Sequence, residues 1–104
     1  MIYQRGHLAR PLDAALGTAS RLSVLRALLD AGEEGRGGRE TARRAGINHQ
    51  SAALALKALA GLGVVERRAW GSKVRWRLDR RRWLVAEVLA PLLEREASHA
   101  ARAA

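Results

Sequence analysis

The sequence has no cysteine, no long apolar run and few acidic residues. Without cysteine the chain has no disulfide framework, no thiolate metal site and no thiol nucleophile. No apolar run approaches the roughly 20 residues of a membrane-spanning helix, and the N-terminus lacks the apolar core of a signal peptide. These absences predict a cytoplasmic protein without a membrane-spanning segment.

Catalytic and metal-binding patterns are also missing. The three histidines lie far apart, and none belongs to the His-x3-His pair of a metal site. The glutamate pairs at 33–34 and at 94/96 have no histidine or lysine arranged beside them. We therefore expect no enzyme activity, no metal site and no cofactor.

What the chain has in excess is positive charge. Its 104 residues include 19 Lys and Arg against 10 Asp and Glu, which gives a net charge of +9. The hydrophobic fraction of 48% is enough for one small domain with a packed core. A surplus of cations this large indicates a polyanionic partner, either nucleic acid or an anionic membrane surface.

The first part of the chain predicts an arm and two helices. Residues 1–10 show no clear periodicity, and Pro11 and Gly17 suit the start and end of one or two helical turns. A stronger helix, capped by Thr18 or Ser20, then runs to about residue 31 with leucines at helical spacing. The glycine-rich stretch at 32–38 predicts a flexible turn.

A helix-turn-helix pattern follows. Residues 39–45 predict about two helical turns, and Gly46 can take the left-handed conformation that ends a helix. Asn48 is a good N-cap for a second helix. Apolar residues spaced by three and four predict its buried face: Ala52, Ala55, Leu56 and Leu59.

The next stretch predicts a two-stranded hairpin. The strands are 64–70 and 73–79, and Gly71 supplies the positive φ that a tight turn often needs. In the second strand Val74, Trp76 and Leu78 alternate with Lys73, Arg75 and Arg77. We expect Trp76 under the wing in the core, whereas Trp70 at the tip can pack on the sheet or contact DNA or a partner.

From about residue 15 to residue 78, the chain resembles the ArsR/MarR-type winged helix-turn-helix regulators. The pieces that carry the resemblance are ALGTASRLSVLRALL, RETARRAGI, ALKALAGLGVVERR and WGSKVRWRL, in that order. Within this group it is most similar to the winged helix fused ahead of minimal nucleotidyltransferases. No Gly-Ser followed by paired aspartates is present, so the resemblance implies a DNA-binding half and not the enzyme.

The resemblance implies a mainly α fold with a small β-hairpin (α+β): a winged helix-turn-helix over residues 11–80 with an added C-terminal helix at 81–98. Residues 99–104 are expected to be a frayed tail. The implied function is that of a DNA-binding transcriptional regulator of a prokaryote. Its recognition helix, about 48–60, would lie in the major groove of double-stranded DNA, and the basic wing, 64–79, on phosphates.

The recognition helix departs from the regulators, because Ala53, Leu54 and Ala55 occupy positions that are usually polar or basic. Few groups are therefore left to read bases. Gln50 can pair with adenine, Ser51 can bond to several bases, and Leu54 can touch a thymine methyl. The expected base contacts are His49, Gln50, Ser51 and Leu54. The first two can equally be solvated residues of the first helical turn, and Leu54 can pack on a partner protein or a neighbouring subunit.

Cations bracket the recognition helix on both sides. A run of charges is commonly a solvated face, but this placement favours phosphate binding. The expected phosphate contacts are Arg39, Arg43, Arg44, Lys57, Arg67, Arg68, Lys73, Arg75 and Arg77.

The C-terminal helix has a wide apolar stripe for so small a domain, and Pro91 should kink it or divide it. In the regulators that the chain resembles, terminal helices commonly form a homodimer. The expected dimer contacts are Trp83, Leu84, Val88, Leu89 and Leu92. The alternative is that this helix only caps its own domain.

Two other functions remain open. One is an antitoxin-like or adaptor module that binds a separately encoded enzyme, such as a nucleotidyltransferase; the bare alanine face and Leu54 favour it. The other is a winged helix that binds structured RNA, which the charge fits equally well.

Overall fold

A computed structural model describes residues 17–103 of the chain, and the predictions made for residues 1–16 lie outside that part. The elements follow in the order α1 (Ala19–Leu28), α2 (Gly38–Ala45), α3 (His49–Gly61), β1 (Val65–Trp70), β2 (Lys73–Leu78), a π-helical segment (Leu84–Leu89) and α4 (Ala90–Ala103). This is a winged helix-turn-helix with an added C-terminal helix, which confirms the predicted fold class.

Local signals set the helix ends. The Thr18 hydroxyl accepts a hydrogen bond of 3.1 Å from the backbone N–H of Arg21, and the Asn48 side chain accepts one of 2.7 Å from that of Ser51. Each cap satisfies an N–H that has no partner inside its helix. Gly46 ends α2 with a φ of 71°, as predicted. Helix α1 ends at Leu28, short of the predicted end near residue 31.

The core lies where α1, α2 and α3 pack on one another and on the hairpin. Leucines from α1 and α3 fill it, and the alanines of α3 are small enough to let the helices approach closely. The predicted inner face of α3 is confirmed, because its four residues are all buried: Ala52, Ala55, Leu56 and Leu59. The opposite face of α3 is therefore left to solvent.

Strands β1 and β2 pair antiparallel, with Val65 opposite Leu78 at the base and Trp70 opposite Lys73 at the tip. The two-residue turn contains Gly71 at a φ of 61°. On its other edge β2 pairs with Arg36. The Arg36 N–H donates to the Trp76 carbonyl at 2.8 Å, and the Trp76 N–H donates to the Arg36 carbonyl at 2.7 Å. The sequence did not predict this pairing. The stretch predicted as a flexible turn contributes an isolated β-bridge at the edge of β2.

The Arg36 side chain fixes the same loop to α1. Only 12% of that side chain is exposed, and its guanidinium donates to the Ala27 carbonyl and, at 2.7 Å, to the Asp30 carboxylate. The Arg36 hydrogen bond holds the pKa of Asp30 below its usual value. The loop is therefore held by the backbone hydrogen bonds of Arg36 to β2 and by the hydrogen bonds of its side chain at the end of α1.

The C-terminal helix begins with a wide turn, in which the Ala90 N–H donates to the Val85 carbonyl five residues earlier. Pro91 explains the position of this turn, since its ring would collide with the carbonyl four residues earlier in a regular α-helix. The predicted change at Pro91 therefore takes the form of a passage from π to α geometry. The helix then continues to Ala103, beyond its predicted end at 98.

Candidate nucleic-acid interface

The outward face of α3 is the feature that a winged helix-turn-helix offers to a duplex. Because the inner face is fixed by buried alanines and leucines, Gln50, Leu54 and Lys57 come to lie along one exposed stripe. They are spaced by four and three residues, so their side chains are neighbours on the helix surface. His49 is exposed in the same first turn, and Ser51 is half-buried.

Polar groups stand only at the two ends of this stripe. His49 and Gln50 lie at the N-terminal end of the helix, and Lys57 lies about two turns further on. Between them Leu54 is 71% exposed, the largest value among the exposed large apolar side chains of the described residues. Leu54 also borders a shallow groove of about 240 Å³ between α3 and the start of α1.

The expected phosphate contacts divide into three groups. The first group has neither an ion pair nor a side-chain hydrogen bond within residues 17–103, and its members are Arg39, Lys57, Arg67 and Lys73. All four are exposed. They stand at the start of α2, on α3 and on both wing strands, and we call them the unpaired cations.

The second group is exposed but already paired with acidic side chains. Arg43 and Arg44 both bond to the Glu40 carboxylate, the latter at 2.9 Å, and these bonds lower the pKa of Glu40. On β1, Arg68 lies 4.0 Å from a Glu66 oxygen, and its guanidinium carbon lies 5.7 Å from the centroid of the Trp70 ring. Exposed pairs of this kind are weak enough to exchange for a phosphate.

The third group differs from the sequence-based prediction. Arg75 donates to the backbone carbonyls of Glu34 and Gly35, each at 3.0 Å, while Arg77 donates to the Glu33 carbonyl at 3.1 Å and to Glu66 at 3.1 Å. Both side chains are half-buried against the loop at 32–38. Their donors serve the fold, so they are not the free wing cations that the alternating pattern suggested.

The two tryptophans of the wing have different surroundings. Trp76 is half-buried and packs against the core, as predicted. Trp70, at the tip of the hairpin, is 51% exposed and has the Arg68 guanidinium over its ring. A guanidinium over an aromatic face is attracted by the ring, so this contact favours the observed placement of the two side chains.

The expected dimer contacts also divide. Trp83 and Leu92 are exposed at 60% and 52%, and Val88 is half-buried. Leu84 is half-buried and packs against the core of its own domain. Leu89 is fully buried in that core, so its assignment to a dimer surface was wrong. The helix both caps its own domain and leaves the large apolar side chains of Trp83 and Leu92 exposed, and we call these two side chains its apolar edge.

Two further kinds of feature are absent from the described residues. Within residues 17–103, no three acidic or histidine side chains group closely enough to hold a metal ion. None of the described helices is long and apolar enough to cross a bilayer.

The fold is similar to a solved structure from Mycobacterium bovis: the homodimeric winged helix-turn-helix DNA-binding domain of a possible ArsR-family transcriptional regulator. The likeness has a TM-score of 0.58 and 28% sequence identity, and it covers 90% of this chain and 84% of the other. No protein-family model and no curated protein matches the chain. The comparisons give no support to the expected kinship with winged helices fused to nucleotidyltransferases.

Proposed function

We propose that the chain is a DNA-binding transcriptional regulator, with α3 in the major groove and the wing on flanking phosphates. The observation that carries this proposal is the position of the unpaired cations around the exposed stripe of α3. Arg39 precedes the helix-turn-helix corner, Lys57 is on α3 itself, and Arg67 and Lys73 are on the wing. These cations have no partner within residues 17–103 and lie on both sides of a helix that fits the major groove. They are therefore suited to bind the phosphates that flank the groove.

We further propose that the regulator acts as a two-fold homodimer. The similar domain from Mycobacterium bovis is homodimeric, and the exposed apolar edge of Trp83 and Leu92 gives this chain a surface that contact with a second copy would cover. A two-fold dimer presents two recognition helices to one duplex. A regulator of this kind has no catalytic role and works where the genome lies, which in a prokaryote is the cytoplasm.

Salt-dependent binding to duplex DNA tests the proposal. If each protomer neutralises four phosphates, each protomer that contacts DNA should contribute a roughly hundredfold fall in affinity between about 50 and 200 mM salt. The double variant Arg67→Ala/Lys73→Ala should bind all sequences more weakly, and the slope of log affinity against log salt should flatten by about 2 for each protomer that contacts DNA. The matched control is Arg95→Ala/Arg102→Ala, which removes the same charge from exposed positions of α4.

The proposal fails if the two double variants change the salt slope equally, because net charge would then explain binding without the wing. It also fails if double-stranded RNA of the same length competes as well as DNA. In that case the charged surface recognises a backbone that is not specific to DNA.

A further inference from the structure

The central position of the α3 stripe is occupied by a side chain that the domain itself does not use. Leu54 is 71% exposed, whereas Leu56 and Leu59 on the same helix are buried at 1% and 0%. A leucine contributes to folding by the apolar area that it removes from water, and Leu54 removes little. Its position at the centre of the outward face of α3 leaves it available for contact with a partner.

The immediate neighbours of Leu54 on the stripe do not make an extended apolar patch. Gln50 lies one turn before it and Lys57 one turn after it, and both are exposed. Ala53 beside it is half-buried and adds only a methyl group. A protein interface of useful size has a larger apolar centre than one leucine and a methyl group.

The charges around Leu54 favour a polyanion as its partner. The unpaired cations are distributed over α2, α3 and both strands of the wing, and no acidic residue lies on α3. A single apolar side chain surrounded by cations is suited to contact the base edges in a DNA major groove. Among the groups that base pairs present there, the apolar one is the C5-methyl of thymine.

We infer that Leu54 reads the C5-methyl groups of thymine, and that this contact is the main source of base discrimination in the middle of α3. The inference rests on the proposed function, since it needs α3 in the major groove. It assigns Gln50 to a hydrogen-bonded contact near the start of the helix and Leu54 to a purely apolar one further along. The preferred site would therefore contain thymine opposite the centre of the helix.

Replacing thymine by deoxyuridine tests the inference, because it removes one methyl group and leaves the Watson–Crick pairing unchanged. Each thymine in a duplex enriched by binding selection is replaced in turn. At the position under Leu54, the wild-type protein should lose affinity about three- to fivefold, as expected for one buried methyl group. Leu54→Ala should bind the thymine and deoxyuridine duplexes equally, and Gln50→Ala should keep the wild-type ratio.

Each outcome separates this inference from the proposed function. If every deoxyuridine duplex binds as tightly as its thymine parent while salt dependence stays steep, the methyl contact is excluded and DNA binding remains. If Leu54→Ala keeps the wild-type ratio, another side chain reads the methyl group and the inference is overturned. If the folded wild-type protein binds no duplex, both ideas fail together.

Discussion

The Arg26 guanidinium and the Glu96 carboxylate make two parallel hydrogen bonds of 2.7 Å each. Seventy positions of sequence separate the two residues, and the pair joins α1 to the middle of α4. Bidentate geometry makes this a directional contact, even though both side chains are about half exposed. The buried residues of the C-terminal helix end at Leu93, so the pair positions the turns beyond that point.

Breaking this pair should loosen the end of α4 and leave the winged core folded. Glu96→Gln removes the charge, and we expect amide hydrogen exchange to become several-fold faster in residues 96–103 but unchanged in α3. Glu94→Gln is the matched control, because Glu94 is exposed on the same helix. Equal exchange in the two variants would contradict a positioning role for the pair.

The same pair predicts a pH dependence. The hydrogen bond from Arg26 holds the pKa of Glu96 below its usual value of 4.5. A carboxylate whose pKa is depressed by folding stabilises the folded state at pH values above its pKa in the unfolded state. This contribution to stability is lost as the pH falls through its pKa in the folded state. Thermal unfolding of the wild type and of Glu96→Gln should therefore differ at pH 6 and converge progressively as the pH falls below 4.5. A constant difference across this range would exclude ionisation of Glu96 as the cause.

The close approach of the loop to β2 predicts that Gly35 is intolerant of a side chain. Its φ is +71°, and an added Cβ would collide with the Trp76 carbonyl oxygen. Gly32 has a similar φ of +65° with open space around it. In urea unfolding, Gly32→Ala should cost about 1–2 kcal/mol for the left-handed backbone alone, and Gly35→Ala clearly more. Equal costs would show that the loop moves aside easily.

Two cations of β2, Lys73 and Arg75, should separate stability from DNA binding. Arg75→Ala removes hydrogen bonds to two loop carbonyls, so the free energy of unfolding should fall by about 1–2 kcal/mol. Lys73→Ala removes an exposed cation that has no partner within residues 17–103, so stability should stay within about 0.5 kcal/mol while DNA affinity falls. The assignment is wrong if Lys73→Ala destabilises the domain as much as Arg75→Ala does.

A charge on the apolar edge of α4 should separate assembly from folding. Leu92→Glu places a carboxylate on a surface that is 52% exposed, so the variant should fold and sediment as a monomer where the wild type is a dimer. Leu89→Glu puts the same charge into the core and should unfold the domain. A wild-type monomer at high micromolar concentration would rule out a dimer through this edge.

Sequence reasoning succeeded where the physical cause is local. The Asn48 cap, the left-handed Gly46 and the buried alanines of α3 each depend on neighbours within a few positions, so spacing alone predicts them. It failed where the partner is distant in sequence. The carbonyl that accepts from Arg75 belongs to Gly35, 40 positions earlier, and no local pattern reveals it.

The same limit applied to the candidate site and to the C-terminal helix. The sequence could not rank the nine cations that were expected to contact phosphates. Whether a cation is already paired depends on the folded arrangement of acidic side chains and carbonyls. Leu89 and Leu92 both belong to the predicted apolar stripe, and only the packing of the helix on its domain divides them into core and surface. The pattern therefore predicts a region for the interface, and the fold shows which of its cations are already paired.

Selection of bound duplexes from a random pool shows whether α3 reads DNA sequence. A homodimer with α3 in the major groove should enrich an inverted repeat, with half-sites about one duplex turn, or roughly 34 Å, apart. Gln50→Ala should relax the preference at one base pair in each half-site, with a loss of about 1–3 kcal/mol if Gln50 makes a bidentate contact. Enrichment of no motif by the wild-type protein would contradict the account, because α3 would then not be a reader of DNA sequence.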